Sequence, residues 1–277
     1  MNKIFSIILC FLLISPVFAE DKVIYGVDNR LENRELPVHY QELAKSTAAM
    51  IPSNLLGNLD EEENYTYSQD KKYNHVCKDE RFYDQRTLAM CSGFLVAKDI
   101  LVTAGHCITT ESSCLSNKWV FNYTTSNSYI RKKDTYSCTK IIHTIKTSTA
   151  DFAVIKLDRE VTDAEPLKIR KEGTIDVWTP LYVIGHPSGL PQKFADGAWV
   201  RSVQSAYFTT NLDTYGGNSG SAVFNAATDD VEGILVRGAS DFVYDYESKC
   251  YRSNFCSATL CRGEDVTDIK LILPYLQ

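Results

Sequence analysis

The chain has 277 residues, with 29 Lys and Arg against 35 Asp and Glu, a net charge of −6, and 44% hydrophobic and 23% charged residues. That balance can bury a core and excludes a disordered chain, while the acidic surplus argues against nucleic acid as a partner. Only 14 glycines and no heptad repeat exclude collagen and coiled coil.

Residues 1–19 carry Lys3, an apolar run Ile4–Ile14 and small residues up to Ala19, the pattern of a secretory signal peptide. The run is too short for a finished membrane anchor. The expectation is a secreted or periplasmic protein with no stable membrane association once the peptide is removed. Removal also takes Cys10 and leaves Cys77, Cys91, Cys107, Cys114, Cys138, Cys250, Cys256 and Cys261. An even set in an exported chain predicts disulfides, and no C-x-x-C pair suggests zinc.

Residues 20–87 read as an N-terminal arm or propeptide that also starts the folded domain. It includes a helix expected over His39–Met50 and a polar loop over Asn58–Lys72. Residues 88–277 read as the main domain. Short β-rich runs follow one another at Ser92–Ala97, Ile100–Thr103, Trp119–Tyr123, Phe152–Leu157, Leu181–Ile184, Trp199–Val203, Ala222–Phe224 and Val231–Val236. Each is bounded by turn residues, and no long helical crossover joins them, so the fold class is all-β. The apolar spacing over Asp265–Leu276 predicts a C-terminal helix.

Three motifs carry chemistry. Thr103-Ala104-Gly105-His106-Cys107 follows an apolar strand, Asp151 heads a second strand, and Gly216-Gly217-Asn218-Ser219-Gly220-Ser221 is a Gly-rich turn that presents one serine. A serine hydroxyl is a weak nucleophile unless an imidazole takes its proton. The imidazole in turn needs a carboxylate to fix its tautomer, and glycines let backbone N–H groups approach a developing oxyanion. Singly, His106, Asp151 and Ser219 could be a core histidine, a strand-end cap and a turn residue. Together, in this order, they point to acyl transfer. The other histidines, His39, His75, His143 and His186, have no matching context.

Leu101–Cys107 and the Gly-Asn-Ser-Gly-Ser turn resemble the chymotrypsin-fold, trypsin-like serine peptidases, and Asn218 makes the turn similar to the bacterial glutamyl-endopeptidase-like branch. The resemblance covers about residues 88–240. It implies two antiparallel six-stranded β-barrels, dividing near 165–175, with the active site between them. It also implies His106 as base, Asp151 as orienting acid, Ser219 as nucleophile, and the backbone N–H groups of Gly217 and Ser219 as oxyanion hole. A disulfide Cys91–Cys107 beside the histidine is implied as well. The remaining pairings stay open, with Cys114–Cys138 and Cys77 to one of the three C-terminal cysteines as those considered. Asn218 has no charge to pair with a new N-terminal amine, so activation by that ion pair is not expected. Val23-Ile24-Tyr25-Gly26 resembles a mature start in that branch.

For the substrate pocket the resemblance implies Asp213, Thr214, Leu235, Arg237 and Gly238. Asp213 stands where trypsin-like members carry the acid that receives Arg or Lys. Thr214 fits a threonine that helps glutamyl endopeptidases bind a carboxylate, but their histidine is replaced by Leu235. An internal Asp213–Arg237 pair would leave no net charge for substrate. The expected function is an exported serine endopeptidase cutting after Arg or Lys. The alternatives are a Glu-specific endopeptidase, a catalytically silent homologue that binds a protein partner, and a small-ester hydrolase. That last one is disfavoured because β-rich sequence follows Ser219. Polypeptide substrates, a monomer, and no cofactor or metal complete the expectation.

Overall fold

The structure, a computed structural model, describes residues 23–67, 73, 76–127, 129–259 and 261–276. The signal-peptide reading of residues 1–19 and His75 lie outside the described residues. Twelve strands form two barrels. In the first these are β1 (Thr47–Pro52), β2 (Cys91–Ala97), β3 (Ile100–Thr103), β4 (Asn117–Phe121), β5 (Thr135–Lys146) and β6 (Asp151–Leu157). They close in the order β5-β6-β3-β2-β1-β4. In the second they are β7 (Pro180–Gly185), β8 (Lys193–Val203), β9 (Tyr207–Thr210), β10 (Ala222–Asn225), β11 (Val231–Arg237) and β12 (Glu264–Asp268). These run β7-β10-β11-β12-β9-β8, and β7–β8 pairing closes the ring. All twelve pair antiparallel within their barrels.

Alternate residues of the second ring point inward, so Val183, Val200, Phe208, Val223, Leu235 and Val266 form its core. A larger apolar cluster runs from Trp119 and Val154 of the first barrel to Ile234 and Ile272, joining the two units.

The N-terminal region departs from the expected helix over His39–Met50. A helix occupies only Val38–Ala44, and Thr47–Pro52 is a strand between β2 and β4. Ala and Met favour helices in isolation, but Thr47, Ala48, Ala49, Met50 and Ile51 are all buried, and two strand partners outweigh that preference. The polar loop expected over Asn58–Lys72 is instead entered by a hairpin of Leu56–Leu59 and Asn64–Tyr67, and its residues 68–72 lie outside the described residues. Leu31–Glu32 adds to the edge of β8.

The expected C-terminal helix Asp265–Leu276 is divided: its start belongs to β12, and Ile269–Tyr275 is a 3-10 helix. Val266 and Thr267 are β-branched and pair with β9 and β11. The three-residue period of the 3-10 turn then buries Ile269 and Ile272 on one face.

Among the described residues four disulfides form: Cys77–Cys250, Cys91–Cys107, Cys114–Cys138 and Cys256–Cys261. The first ties the segment before β2 to the insertion between β11 and β12.

Candidate active site

The turn after β3 carries His106, and Asp151 opens β6, the strand hydrogen-bonded to β3. That pairing brings the two residues together although 45 positions separate them. Asp151 Oδ1 accepts the backbone N–H of His106 at 2.9 Å, and Oδ2 lies 2.8 Å from Nδ1 of the ring. A carboxylate only accepts, so the contact fixes Nδ1 as the protonated nitrogen and leaves Nε2 with a lone pair. Burial pushes the Asp151 carboxyl up, but hydrogen bonds and charge from His106, with charge from Arg237, outweigh it and hold the group below its ordinary value. Thr267 of β12 hydrogen-bonds the Asp151 main chain through its hydroxyl, locking the strand end to the second barrel.

Ser219 sits in the turn before β10 and is largely buried. Its carbonyl accepts the Ser92 N–H of β2 at 2.8 Å, and its Oγ donates to Val236 O at 3.4 Å. The Ser219 turn of the second barrel is therefore pinned against the first. Cys91–Cys107 joins the start of β2 to the His106 turn on the same side. The two sulfurs and a His106 ring nitrogen lie within 4.8 Å of one another, but sulfurs in a disulfide offer no thiolate to a metal.

The glycine turn is held on both sides. Asn218 N–H closes it onto Tyr215 O at 2.9 Å, Gly216 N–H donates to Asp241 Oδ2 at 2.8 Å, and Gly216 O accepts Ser188 N–H at 2.5 Å. Gly217 has φ +93°, and a Cβ there would stand 2.5 Å from His186 O, so only glycine fits. The 216–217 peptide is trans, so turning its C=O toward Ser188 turns the Gly217 N–H the opposite way.

Ser92 is the residue that sequence reasoning missed here. Its Oγ accepts the His186 N–H at 3.0 Å and donates to Gly217 O at 2.9 Å, bridging the first barrel to the turn. No sequence signal marks it, because a serine on a strand has many uses. His186 itself is a positioning element: wholly buried, stacked on Tyr123, with Nδ1 3.0 Å from Leu190 O. Burial pushes its imidazole down to about 3.

The pocket residues are distributed differently from the expectation. Asp213 accepts the Tyr25 N–H at 2.6 Å, and Thr214 N–H donates to Val23 O at 3.4 Å, so both face the N-terminal segment. Burial pushes the Asp213 carboxyl up to about 7. Arg237 pairs with Asp265 at 2.8 Å and donates to the carbonyls of Thr147 and Ser148. The internal Asp213–Arg237 pair considered from the sequence is thus replaced by separate partners for each. Leu235 packs in the core of the second barrel. Gly238 faces Glu264, a second residue without a sequence signal, whose Oε2 accepts the Thr214 hydroxyl at 2.7 Å.

The family model of the trypsin-like peptidase domain matches residues 91–234. Among solved structures, a Glu endopeptidase in complex with MPD aligns with a TM-score of 0.54 at 17% identity, covering 89% of this chain and 93% of that one. The Vibrio cholerae VesB protease aligns with a TM-score of 0.53 at 15% identity, covering 92% of this chain and 66% of that one. At such identities these likenesses speak for the fold. No curated protein matches the chain.

Proposed function

The chain belongs to the trypsin-like peptidase family, and from that premise we propose that it is an exported serine endopeptidase working through Ser219, His106 and Asp151. The carrying observation is the double contact of Asp151 with His106, at 2.9 and 2.8 Å, in a turn whose Cys107 Sγ lies 3.8 Å from Ser219 O. With Nδ1 committed to Asp151, Nε2 takes the Ser219 proton as Oγ attacks the peptide carbonyl, and later gives it to the leaving amine. The N–H groups of Gly217 and Ser219 stabilise the oxyanion, and water then cleaves the acyl-enzyme.

Export agrees with the signal-like first 19 residues and with four disulfides, which persist in oxidising compartments. If the chain is processed, the cut falls at or before Val23, because Val23 and Ile24 are buried against the peptidase domain. Residues 47–52 belong to the first barrel and not to a removable propeptide.

The preferred substrate has Arg or Lys before the cleaved bond. Cleavage after Glu would need the Thr214 hydroxyl and the Arg237 cation, and these are given to Glu264 and Asp265. Two assays test the reading: labelling of Ser219 by a fluorophosphonate, and cleavage-site profiling on a peptide library. Rapid labelling that is lost in Ser219→Ala is expected; an unreactive serine in the folded protein would favour the silent, protein-binding homologue.

A further inference from the structure

The insertion between β11 and β12 lies beyond residues 91–234, which the family model matches. Its hairpin pairs Phe242–Asp245 with Cys250–Ser253. Asn254 closes the base: its backbone N–H donates to Asp241 O and its side-chain amide to Ser240 O, both at 2.8 Å. The Asn254 carbonyl in turn accepts the Ile24 N–H at 3.1 Å. On the flank, the Cys77 N–H donates to Tyr251 O at 2.9 Å, and Cys77–Cys250 makes that contact covalent.

From this anchored base, Asp241 and Phe242 reach the segment that leads into the Ser219 turn. The Phe242 ring lies against the Tyr215 ring, 4.9 Å between centroids. Asp241 Oδ2 accepts the Gly216 N–H at 2.8 Å, while Gly216 O accepts the Ser188 N–H. The two peptide planes that meet at Gly216 are thus held by different partners, the 215–216 plane by Asp241 and the 216–217 plane by Ser188. A glycine has no side chain to restrain either plane, and Gly217, at φ +93°, is a second glycine joint beside it. The Gly217 N–H belongs to the 216–217 plane. Ser188 holds that plane at its carbonyl end only, so it can swing about this bond unless the preceding plane is fixed too.

We propose that Asp241 is a positioning residue for the oxyanion hole: its carboxylate anchors the Gly216 N–H and so keeps the Gly217 N–H aimed at the carbonyl oxygen that Ser219 attacks. The inference rests on the serine-peptidase reading above and adds to it a residue from outside the matched domain. A carboxylate suits the task, because a hydrogen bond to an ionised acceptor is roughly twice as strong as one between neutral groups. Asp241 acts through the backbone. A donor already on its line when charge develops costs no reorganisation at the moment of reaction, so losing the anchor should lower kcat and leave KM alone.

The test uses the full chain with Asp241→Asn, which keeps a neutral acceptor, and Asp241→Ala, which removes it. Each is assayed on peptides carrying Arg, Gln or Glu before the scissile bond, and a fluorophosphonate counts the reactive serines. Per labelled serine, kcat is expected to fall about threefold in Asp241→Asn and about tenfold or more in Asp241→Ala, equally for every peptide cleaved, with KM within about twofold. Labelling should slow in the same order, since the phosphonyl oxygen takes the same N–H groups, yet reach the wild-type endpoint. An unchanged kcat per labelled serine, or a loss accounted for by fewer labelled serines, would overturn the inference while labelling upheld the peptidase. A rise in KM confined to one peptide would overturn it as well, by placing Asp241 against the substrate. If Asp241→Ala does not fold, Asp241→Asn decides alone on the same readouts. No labelling and no cleavage by the wild type would overturn the peptidase reading, and the inference with it.

Discussion

Asp213 accepts the backbone N–H of Tyr25 at 2.6 Å, a bond that reaches across 188 positions of sequence. It fastens the N-terminal segment to the residues that lead into the Ser219 turn. Val23 and Ile24 are buried beside it, and Ile24-Tyr25 pairs in parallel with Phe255-Cys256 of the insertion before β12. Residues 23–25 thus pack between that insertion and the segment that leads into the Ser219 turn.

The burial of the Asp213 carboxyl, which outweighs the lowering by this bond, makes stability depend on pH. Burial raises the Asp213 carboxyl from 3.8 to about 7, so the native state holds its proton more tightly than the unfolded chain. The stability this brings is complete below pH 3.8 and is lost as pH rises through about 7, at roughly 1.4 kcal/mol per unit while the group titrates. Asp213→Asn keeps an acceptor for Tyr25 and removes the titration. Its melting temperature should gain on the wild type by several degrees between pH 5 and pH 8. Parallel melting curves across that range would refute the assignment.

Ser219→Ala, His106→Ala and Asp151→Asn should each lower kcat by about three orders of magnitude or more, since the three act as a unit. Asp151→Asn should do so because the amide can donate to Nδ1 and so favours the wrong tautomer. Fold is checked by melting temperature. A Ser219→Ala protein with near-normal turnover would exclude the serine mechanism.

Much of this site could be read from the sequence, because its residues sit in short motifs. His106 follows an apolar strand, Asp151 heads one, and Ser219 lies in a glycine turn. The β strands whose side chains alternate or are fully apolar were equally legible. Thr135–Lys146 was not, since two register shifts break its alternation, and Tyr207–Thr210 ends in two threonines and offers too few apolar residues to mark a run. Thr47–Pro52 reads as helix because its partners, Cys91–Phe94 and Asn117–Phe121, are far away in sequence. Ser92 and Glu264 share that difficulty: each touches the segments around Ser219 through a contact made by topology, and neither belongs to a local pattern.

Ser92→Ala tests one of those contacts. The change removes the hydroxyl that accepts from His186 N–H and donates to Gly217 O, leaving the Ser92 backbone bond to Ser219 in place. Gly217 should lose some of its orientation, so kcat is expected to fall about tenfold, less than the loss of an oxyanion donor itself, with KM little changed. Steady-state kinetics on one good substrate reads the split. A rise in KM at constant kcat would instead assign Ser92 to substrate binding.

Arg237 links the two barrels at the other end of the site. Its Nε meets Asp265 of β12 at 2.8 Å, and its Nη2 donates at 2.5 Å to Ser148 O, three residues before Asp151. Its charge also helps hold Asp151 ionised. A planar fork satisfies a carboxylate and a loop carbonyl at once, which an ammonium does not reproduce, so Arg237→Lys is not a conservative change here. The expected result is a fall in kcat of about tenfold from a loosened 147–150 loop, uniform across peptides that differ in the residue before the cleaved bond. Under the Glu-specific alternative Arg237 would read the substrate carboxylate, and Arg237→Lys would then lose cleavage after Glu selectively. The same peptide series measured on this variant decides between them: a uniform loss makes Arg237 a positioning residue, and a loss confined to acidic substrates makes it part of the pocket.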